Sequence, residues 1–249
     1  MSDADREIRR HCAEIDRCNQ RGGRMLSIVD LIEAGTMTPD LAAYALAAIG
    51  NGASFMVGAL PGGAGKTTVM GALLNLVPAG ARLIAADGMP AIRRGAERPS
   101  PRCCYICHEI SAGPYYAYLW GESLRAYFAL TGAGHMLATN LHADDLDEAH
   151  DQICVENGVP ESHFRAFHLQ LFLRMEGRFR STRTVDKVYA SDGGAPHSLV
   201  FDARRPEALA GTSVDGAWAG ECRAFLENTL ANGTRTIEDT RAAVLEFLA

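Results

Sequence analysis

A glycine-rich segment followed by a lysine and two threonines is the part of the sequence best suited to chemistry. Its residues are Leu60, Pro61, Gly62, Gly63, Ala64, Gly65, Lys66, Thr67 and Thr68. An apolar run over 55–60 precedes it, and a pattern typical of a helix follows over 69–77. A strand, a glycine turn, Lys-Thr and then a helix form the context that a phosphate-binding loop requires. We therefore predict that residues 61–68 bind the phosphates of a nucleotide.

Each residue type in this loop has a chemical reason to be there. Glycines let backbone N–H groups approach phosphate oxygens closely, and the positive end of the following helix attracts the same anion. Lys66 would reach the β- and γ-phosphates of ATP, and the hydroxyl of Thr67 would bind Mg²⁺. The chain has only 2 lysines, Lys66 and Lys187, although arginine is frequent. Leu60 departs from the usual pattern, which has glycine there, so a plain glycine turn at the surface is the alternative.

Composition limits the kinds of protein that this chain can be. It has 249 residues, of which 47% are hydrophobic and 22% charged, as in ordinary globular proteins. The net charge of −6 argues against a general nucleic-acid binder, which usually carries a basic face. No apolar run is long enough to cross a bilayer, and the N-terminus is polar, unlike a signal peptide. We expect a cytoplasmic protein, at most peripheral to the inner face of the membrane.

Strands and helices alternate through the middle of the sequence, which predicts an α/β fold with a mainly parallel sheet. After residue 169 the period changes, and antiparallel strands and then helices are predicted. We divide the chain into N-terminal helices and a linker over 1–50, a core over 51–204 and a helical extension over 205–249. Three smaller elements are expected within the core. They are an arginine-rich loop over 91–102, a buried strand over 115–120 and an acidic helix over 144–155.

Three polar side chains follow apolar strands of the predicted core. Asp87, Glu122 and His142 each come just after such a strand. Because ligands of parallel sheets bind at the carboxyl ends of the strands, we expect all three near the γ-phosphate. A carboxylate there can hold Mg²⁺ through water or orient an attacking water molecule, and a histidine can sense the phosphate by hydrogen bonding. The alternative for each of them is a surface residue at a strand end.

The 7 cysteines, an odd number in a chain without a secretion signal, are expected to be reduced thiols. Cys104, Cys107 and His108 have the C-x-x-C-H spacing of covalent haem attachment. Zinc bound by these residues together with Cys103 is a second possibility. A buried strand over 103–110, with the small thiols in the core, is the third.

The motifs together resemble the secretion and pilus-assembly ATPases, hexameric RecA-type motors of type II and type IV secretion and of pilus machines. The type IV secretion and tight-adherence pilus branch is most similar. Residues 30–39 and 42–44 resemble the linker before its nucleotide loop, and Gly121-Glu122 its Walker B glutamate. Residues 131–135 and 138–144 resemble its histidine box, and 169–188 the strand pair that follows.

This resemblance implies a P-loop NTPase core of the RecA type that binds ATP and Mg²⁺ and hydrolyses ATP. Glu122, Asp87 and His142 would be catalytic, with Glu122 polarising the attacking water and Asp87 in the second place of the family's Asp box. Thr67 and Glu122 would be the metal ligands. His135 would contact the nucleotide and, with His142, couple nucleotide state to subunit packing. The implied partners are other subunits in an oligomer, a hexamer in the family, and a membrane-embedded platform protein.

Departures from the family pattern keep other functions open. Ala86 stands where the Asp box has glutamate, and a charge-rich segment of about 25 residues precedes the linker where the family has a large domain. A degenerate subunit that binds nucleotide without hydrolysing it is therefore the main alternative. A small-molecule kinase is a weaker one, because no lid or acceptor-site signature is evident.

Overall fold

The computed structural model describes residues 2–19, 22–98, 102–177, 182–205 and 214–249. The strands in this part of the chain are β1 (Phe55–Gly58), β2 (Arg82–Ala85), β3 (Cys103–Ile110), β4 (Tyr118–Leu119), β5 (Met136–Leu141), β6 (Leu169–Glu176), β7 (Thr182–Ala190) and β8 (Ser198–Asp202). They form one sheet in the order β2-β3-β5-β1-β6-β7-β8, and β4 pairs with the carboxyl end of β3. Strands β1 to β6 pair in parallel, whereas β7 and β8 add an antiparallel edge. The predicted α/β fold with a mainly parallel sheet is confirmed.

Helices cover both faces of this sheet. They are α1 (Asp3–Cys18), α2 (Ile28–Glu33), α3 (Pro39–Gly50), α4 (Lys66–Leu74), α5 (Met89–Glu97), α6 (Glu122–Ala129), α7 (Leu146–His150), α8 (Glu161–Arg165), α9 (Gly216–Ala231) and α10 (Ile237–Phe247). Apolar residues of α1 to α4, α9 and α10 share one core, and those of α5 to α8 share the other. Helices from both ends of the chain therefore pack on the same face of the sheet. The proposed division at residues 50 and 205 stays a prediction.

Sequence signals explain where several helices begin. Ser2 and Asp5 form a capping box at the start of α1, and Thr38 caps α3 just before Pro39. A proline also occupies the first turn of α5, which extends into the region predicted as a loop over 91–102. That prediction is wrong for residues 91–97, which are helical because Ala91, Ile92 and Gly95 bury one face. Residues 99–101 lie outside the described part of the chain.

Two other predicted elements differ from the structure. The buried strand expected over 115–120 is reduced to β4, since Tyr115 and Tyr116 are exposed. The helix expected over 144–155 is α7 followed by one turn of π-helix over Asp151–Glu156. A π-turn inserts an extra residue into the helical winding and is often found at functional sites.

The carboxyl end of α4 is held by residues from both ends of the chain. Buried His11 of α1 contacts the carbonyl oxygen of Leu74 through Nε2 (3.0 Å). Burial and the nearby Arg241 charge lower the pKa of His11 to about 3, so the ring is neutral and Nε2–H donates. Arg241 of α10 is fully buried and donates to the carbonyls of Asn75 (3.1 Å) and Val77 and to Glu7 (3.0 Å). These contacts satisfy carbonyls that a helix end leaves unpaired.

No helix of the described residues is long and apolar enough to cross a membrane.

We expect Arg241→Leu to lower the free energy of unfolding by about 2–4 kcal/mol, because it leaves two buried carbonyls and Glu7 without their donor. Urea unfolding followed by circular dichroism measures the change. Arg223→Leu is the matched control, since Arg223 is an exposed arginine of α9 whose ion pairs with described residues, Asp40 and Glu227, lie at the surface. Equal effects of the two substitutions would contradict the proposed anchoring of α4.

Candidate functional site

The glycine-rich loop connects β1 to α4 with two residues in the left-handed backbone region. Gly63 has φ of 85° and Gly65 has φ of 96°, conformations that favour glycine over all other residues. Helix α4 begins at Lys66, so the N–H groups of its first turn have no acceptor within the helix. The loop therefore presents backbone donors and the positive end of a helix dipole on one side, which is the arrangement that binds phosphate.

Lys66 is buried at the end of this loop, with 7% of its surface exposed. Its Nζ donates to the carbonyl of Ala59 (3.1 Å) and lies 3.1 Å from Nδ1 of His142. It also lies 3.7 Å from Oε1 of Glu109. An ammonium group is costly to bury without such partners, so the contacts fix where the charge is held.

Glu109 is the carboxylate that the fold brings to Lys66. It lies near the end of β3, and only β5 separates β3 from β1 in the sheet. Burial raises the pKa of Glu109, while the charges of Lys66 and His142 act in the opposite direction. Its Oε1 is buried and has no hydrogen-bond partner among the described residues. A buried carboxylate oxygen in this position can accept a hydrogen bond from water or bind a cation.

His142 follows β5 and contacts the start of the loop. Its Nδ1 lies 3.1 Å from both Nζ of Lys66 and the carbonyl oxygen of Leu60. A single ring nitrogen serves only one of these contacts at a time, because it must accept from Lys66 but donate to Leu60. Nearby, Asp144 accepts a hydrogen bond from the N–H of Leu60 (2.7 Å). The segment after β5 thus touches the loop at Leu60, the residue that departs from the family pattern. His142 therefore lies beside Lys66, and its catalytic role stays a prediction.

Glu122 does not occupy the place that the sequence analysis gave it. It is an exposed residue that begins α6, three positions after β4. Strand β4 pairs with β3 on the side away from β5, so about 14 Å of sheet separates it from β1. Among the described residues, the acid within ion-pair distance of Lys66 is Glu109. The expectation that Glu122 lies close to the loop is therefore not met, and its catalytic and metal-binding roles stay predictions.

Asp87 lies at the expected edge of the sheet, but two strands lie between its strand and β1. It follows β2, which is separated from β1 by β3 and β5, a distance of about 14 Å. Its side chain is exposed. Ala86, which stands where the family has glutamate, is buried, and its N–H donates to the carbonyl of Ile106 (2.8 Å). The catalytic role of Asp87 stays a prediction.

His135 lies at the opposite edge of the sheet, and its predicted contact with the nucleotide is wrong. It precedes β5, and the 6 residues of that strand place it about 20 Å from His142. Its Nδ1 accepts the N–H of Cys103 (3.1 Å), so Nε2–H donates to the carbonyl of Gly95 (3.0 Å). His135 is thus a buried link between β3 and α5.

Arg183 is a residue near the loop that the sequence analysis missed. It lies at the start of β7, and its Nε donates to the carbonyl of Gly63 (3.1 Å). Its aliphatic part passes close to Gly65, where a Cβ atom would lie 3.1 Å from Cδ of Arg183. The predicted strand pair around Gly177 is confirmed, although residues 178–181 lie outside the described part. Strand β6 of this hairpin pairs with β1, and only this long-range pairing shows that Arg183 of β7 reaches the loop.

The cysteine cluster does not form one site. Cys104 and Cys107 are three residues apart on β3, so their side chains point to opposite faces of the sheet. Cys104 belongs to one apolar core and Cys107 to the other. Covalent haem attachment and a shared zinc ion are therefore excluded as explanations. The third possibility, a buried strand over 103–110, is confirmed.

We expect His135→Ala to lower the free energy of unfolding by about 2–4 kcal/mol, because the buried N–H of Cys103 and carbonyl of Gly95 lose their partners. Since His142 is about half exposed, we expect a smaller loss for His142→Ala, measured by the same urea titration. The reverse order would show that His135 is not a structural link.

No protein-family model matches the chain, and neither does any curated protein. Among solved structures, the VirB11 ATPase from the Brucella suis type IV secretion system, in complex with sulphate, is 19% identical with a TM-score of 0.46; the match covers 66% of this chain and 54% of that one. The ATPase DotB of Legionella pneumophila is 12% identical with a TM-score of 0.42, covering 84% and 59%. DotB of Yersinia pseudotuberculosis is 11% identical with a TM-score of 0.46, covering 87% and 62%.

The chain therefore spans less than two thirds of the length of the solved structures that it matches. At these identities and TM-scores the similarity supports no conclusion about the function of this chain.

Proposed function

We propose that this protein is a Mg²⁺-dependent ATPase with a RecA-like P-loop core, and that it acts as a motor subunit of a secretion or pilus-assembly machine. The observation that carries the proposal is the contact of buried Lys66 with Glu109 and His142 directly behind a glycine loop at a helix start. The resemblance of the sequence motifs to the secretion and pilus-assembly ATPases supports the assignment to such a machine. Assembly into an oligomer, a hexamer in that family, and contact with a membrane-embedded platform protein are parts of the same proposal.

The residues around the loop fit ATP and Mg²⁺. The first-turn N–H groups of α4 and the ammonium of Lys66 would bind phosphate oxygens. The half-buried hydroxyl of Thr67 in the same turn suits Mg²⁺, which prefers oxygen ligands. Buried Oε1 of Glu109 is an acceptor that faces the same space as Lys66. Bound ATP would supply the phosphoric anhydride that is hydrolysed, and Mg²⁺ would supply positive charge that neutralises the phosphate oxygens.

Three side chains would then have separate tasks. Lys66 would hold the terminal phosphates, and Glu109 would accept a hydrogen bond from a water molecule and orient it for attack. His142, which can bond either Lys66 or the carbonyl of Leu60, would respond to the departure of that ammonium towards phosphate. Arg183 would hold the outer side of the loop through Gly63, so that the loop N–H groups face the phosphates.

The alternative from a different class is a subunit that binds nucleotide without hydrolysing it. Ala86 favours this alternative, because the family's Asp-box glutamate is absent. Glu109 beside Lys66 favours hydrolysis. Purified protein that binds ATP with Mg²⁺ but releases no phosphate would support the non-hydrolysing subunit.

Lys66→Ala tests the loop. We expect ATP affinity to fall about ten- to a hundredfold, because charge-assisted contacts to phosphate contribute about 1.5–3 kcal/mol. Isothermal titration calorimetry measures the affinity. Lys187→Ala removes the other lysine of the chain and is the matched control, with no change expected. Unchanged affinity in Lys66→Ala would refute the assignment of residues 61–68.

The variants Glu109→Gln and Glu122→Gln test which of the two carboxylates is needed for ATP hydrolysis. We expect Glu109→Gln to bind ATP as before and to release phosphate about 10²–10⁴ times more slowly, because the amide does not take up the proton of the attacking water. Glu122→Gln should hydrolyse ATP at the original rate. Phosphate release under single-turnover conditions is the measurement, and the opposite pattern would return the catalytic role to Glu122.

A further inference from the structure

A cluster of three metal-ligating side chains lies outside the phosphate loop, in the segment after β5. It consists of His150 at the end of α7, Cys154 in the π-turn and Glu161 at the start of α8. A ring nitrogen, the Sγ atom and a carboxylate oxygen of these residues all lie within 4.8 Å of one another. Nε2 of His150 already contacts Oε1 of Glu161.

The local fold explains why the three side chains meet. His150 and Cys154 are four residues apart in one continuous helical segment, so they lie on the same side of it. The chain then reverses at Gly158, which has φ of 67° and whose N–H donates to the carbonyl of Cys154 (3.1 Å). This reversal brings Glu161 back over the π-turn. Phe164 supports the ring of His150 from the side, with centroids 5.4 Å apart.

The three donor atoms suit zinc. Imidazole nitrogen, thiolate sulfur and carboxylate oxygen are the ligands that Zn²⁺ uses in proteins, at about 2.0–2.3 Å. Two ligands of a tetrahedral zinc ion are about 3.3–3.6 Å apart, so the widest pair of the cluster must close by about 1 Å. Glu161 has 53% of its side chain exposed and His150 35%, which leaves both free to rotate and one coordination position open to water.

We propose that His150, Cys154 and Glu161 form a zinc site that fastens α7, the π-turn and α8 together. The site adjoins the phosphate loop through Gln152, which lies within the π-turn and donates to the carbonyl of His142. A zinc ion here would hold in place the segment that positions His142. The zinc site does not depend on the ATPase proposal, because none of its ligands belongs to the phosphate loop.

Titration of the full chain, freed of metal by a chelator, with Zn²⁺ or Co²⁺ alone tests the site. We expect one Co²⁺ per chain with a thiolate-to-cobalt charge-transfer band in the near ultraviolet, which zinc displaces. Cys154→Ser should abolish the band. His150→Ala and Glu161→Gln should each lower zinc affinity by about ten- to a hundredfold or more. Loss of a residue that is only hydrogen-bonded to a zinc ligand already lowers affinity by that factor.

Cys103→Ser is the matched control, because Cys103 is the other half-buried thiol among the described residues. It should leave the band and the zinc affinity unchanged. A band that survives in Cys154→Ser, or that is lost equally in Cys103→Ser, would overturn the proposal, as would the lack of stoichiometric binding by the original chain. Circular dichroism of Glu161→Gln, the variant that alters only an exposed group, separates lost coordination from lost folding.

Discussion

The burial of one ammonium group governs the arrangement around the glycine loop. Lys66 begins α4 on the inner side of the loop, where water does not solvate its charge freely. A buried charge is tolerated only when opposite charge and hydrogen-bond acceptors surround it. The carbonyl of Ala59 provides one acceptor, and Glu109 provides the opposite charge. Glu109 is itself buried and depends on Lys66 in return, so the ion pair fixes how the ends of β1 and β3 face each other.

Helix α4 transmits this arrangement to the rest of the molecule, because both of its ends are held. Its first residue is Lys66, the carbonyl of its last residue accepts from His11 of α1, and carbonyls just beyond its end accept from Arg241 of α10. Helices α1 and α10 therefore help to determine where the glycine-rich loop lies relative to the sheet. Neither helix resembles a known motif in the sequence, and their contribution is mechanical support of the site.

The sequence predicted the loop, the parallel sheet and the position of His142, because each depends on local signals. The carboxylate beside Lys66 was misassigned for a physical reason, since one glutamate lies near the end of β3 and another follows β4. The order of strands in the sheet decides which glutamate reaches Lys66, and that order depends on long-range pairing. His135 was a different kind of error. A histidine that precedes a strand lies at the amino edge of a parallel sheet, so the 6 residues of β5 already separate it from His142.

His142 is the point at which the phosphate loop, the ion pair and the segment after β5 meet. Its Nδ1 bonds either the ammonium of Lys66 or the carbonyl of Leu60, and its own carbonyl accepts from Gln152 in the π-turn. In the proposed function, phosphate that attracts the Lys66 ammonium would remove one of the two ring contacts and favour the other. The shift would reach the π-turn through the same residue, because its backbone is bonded there. A small displacement of one ammonium group would then move the surface formed by α7 and α8.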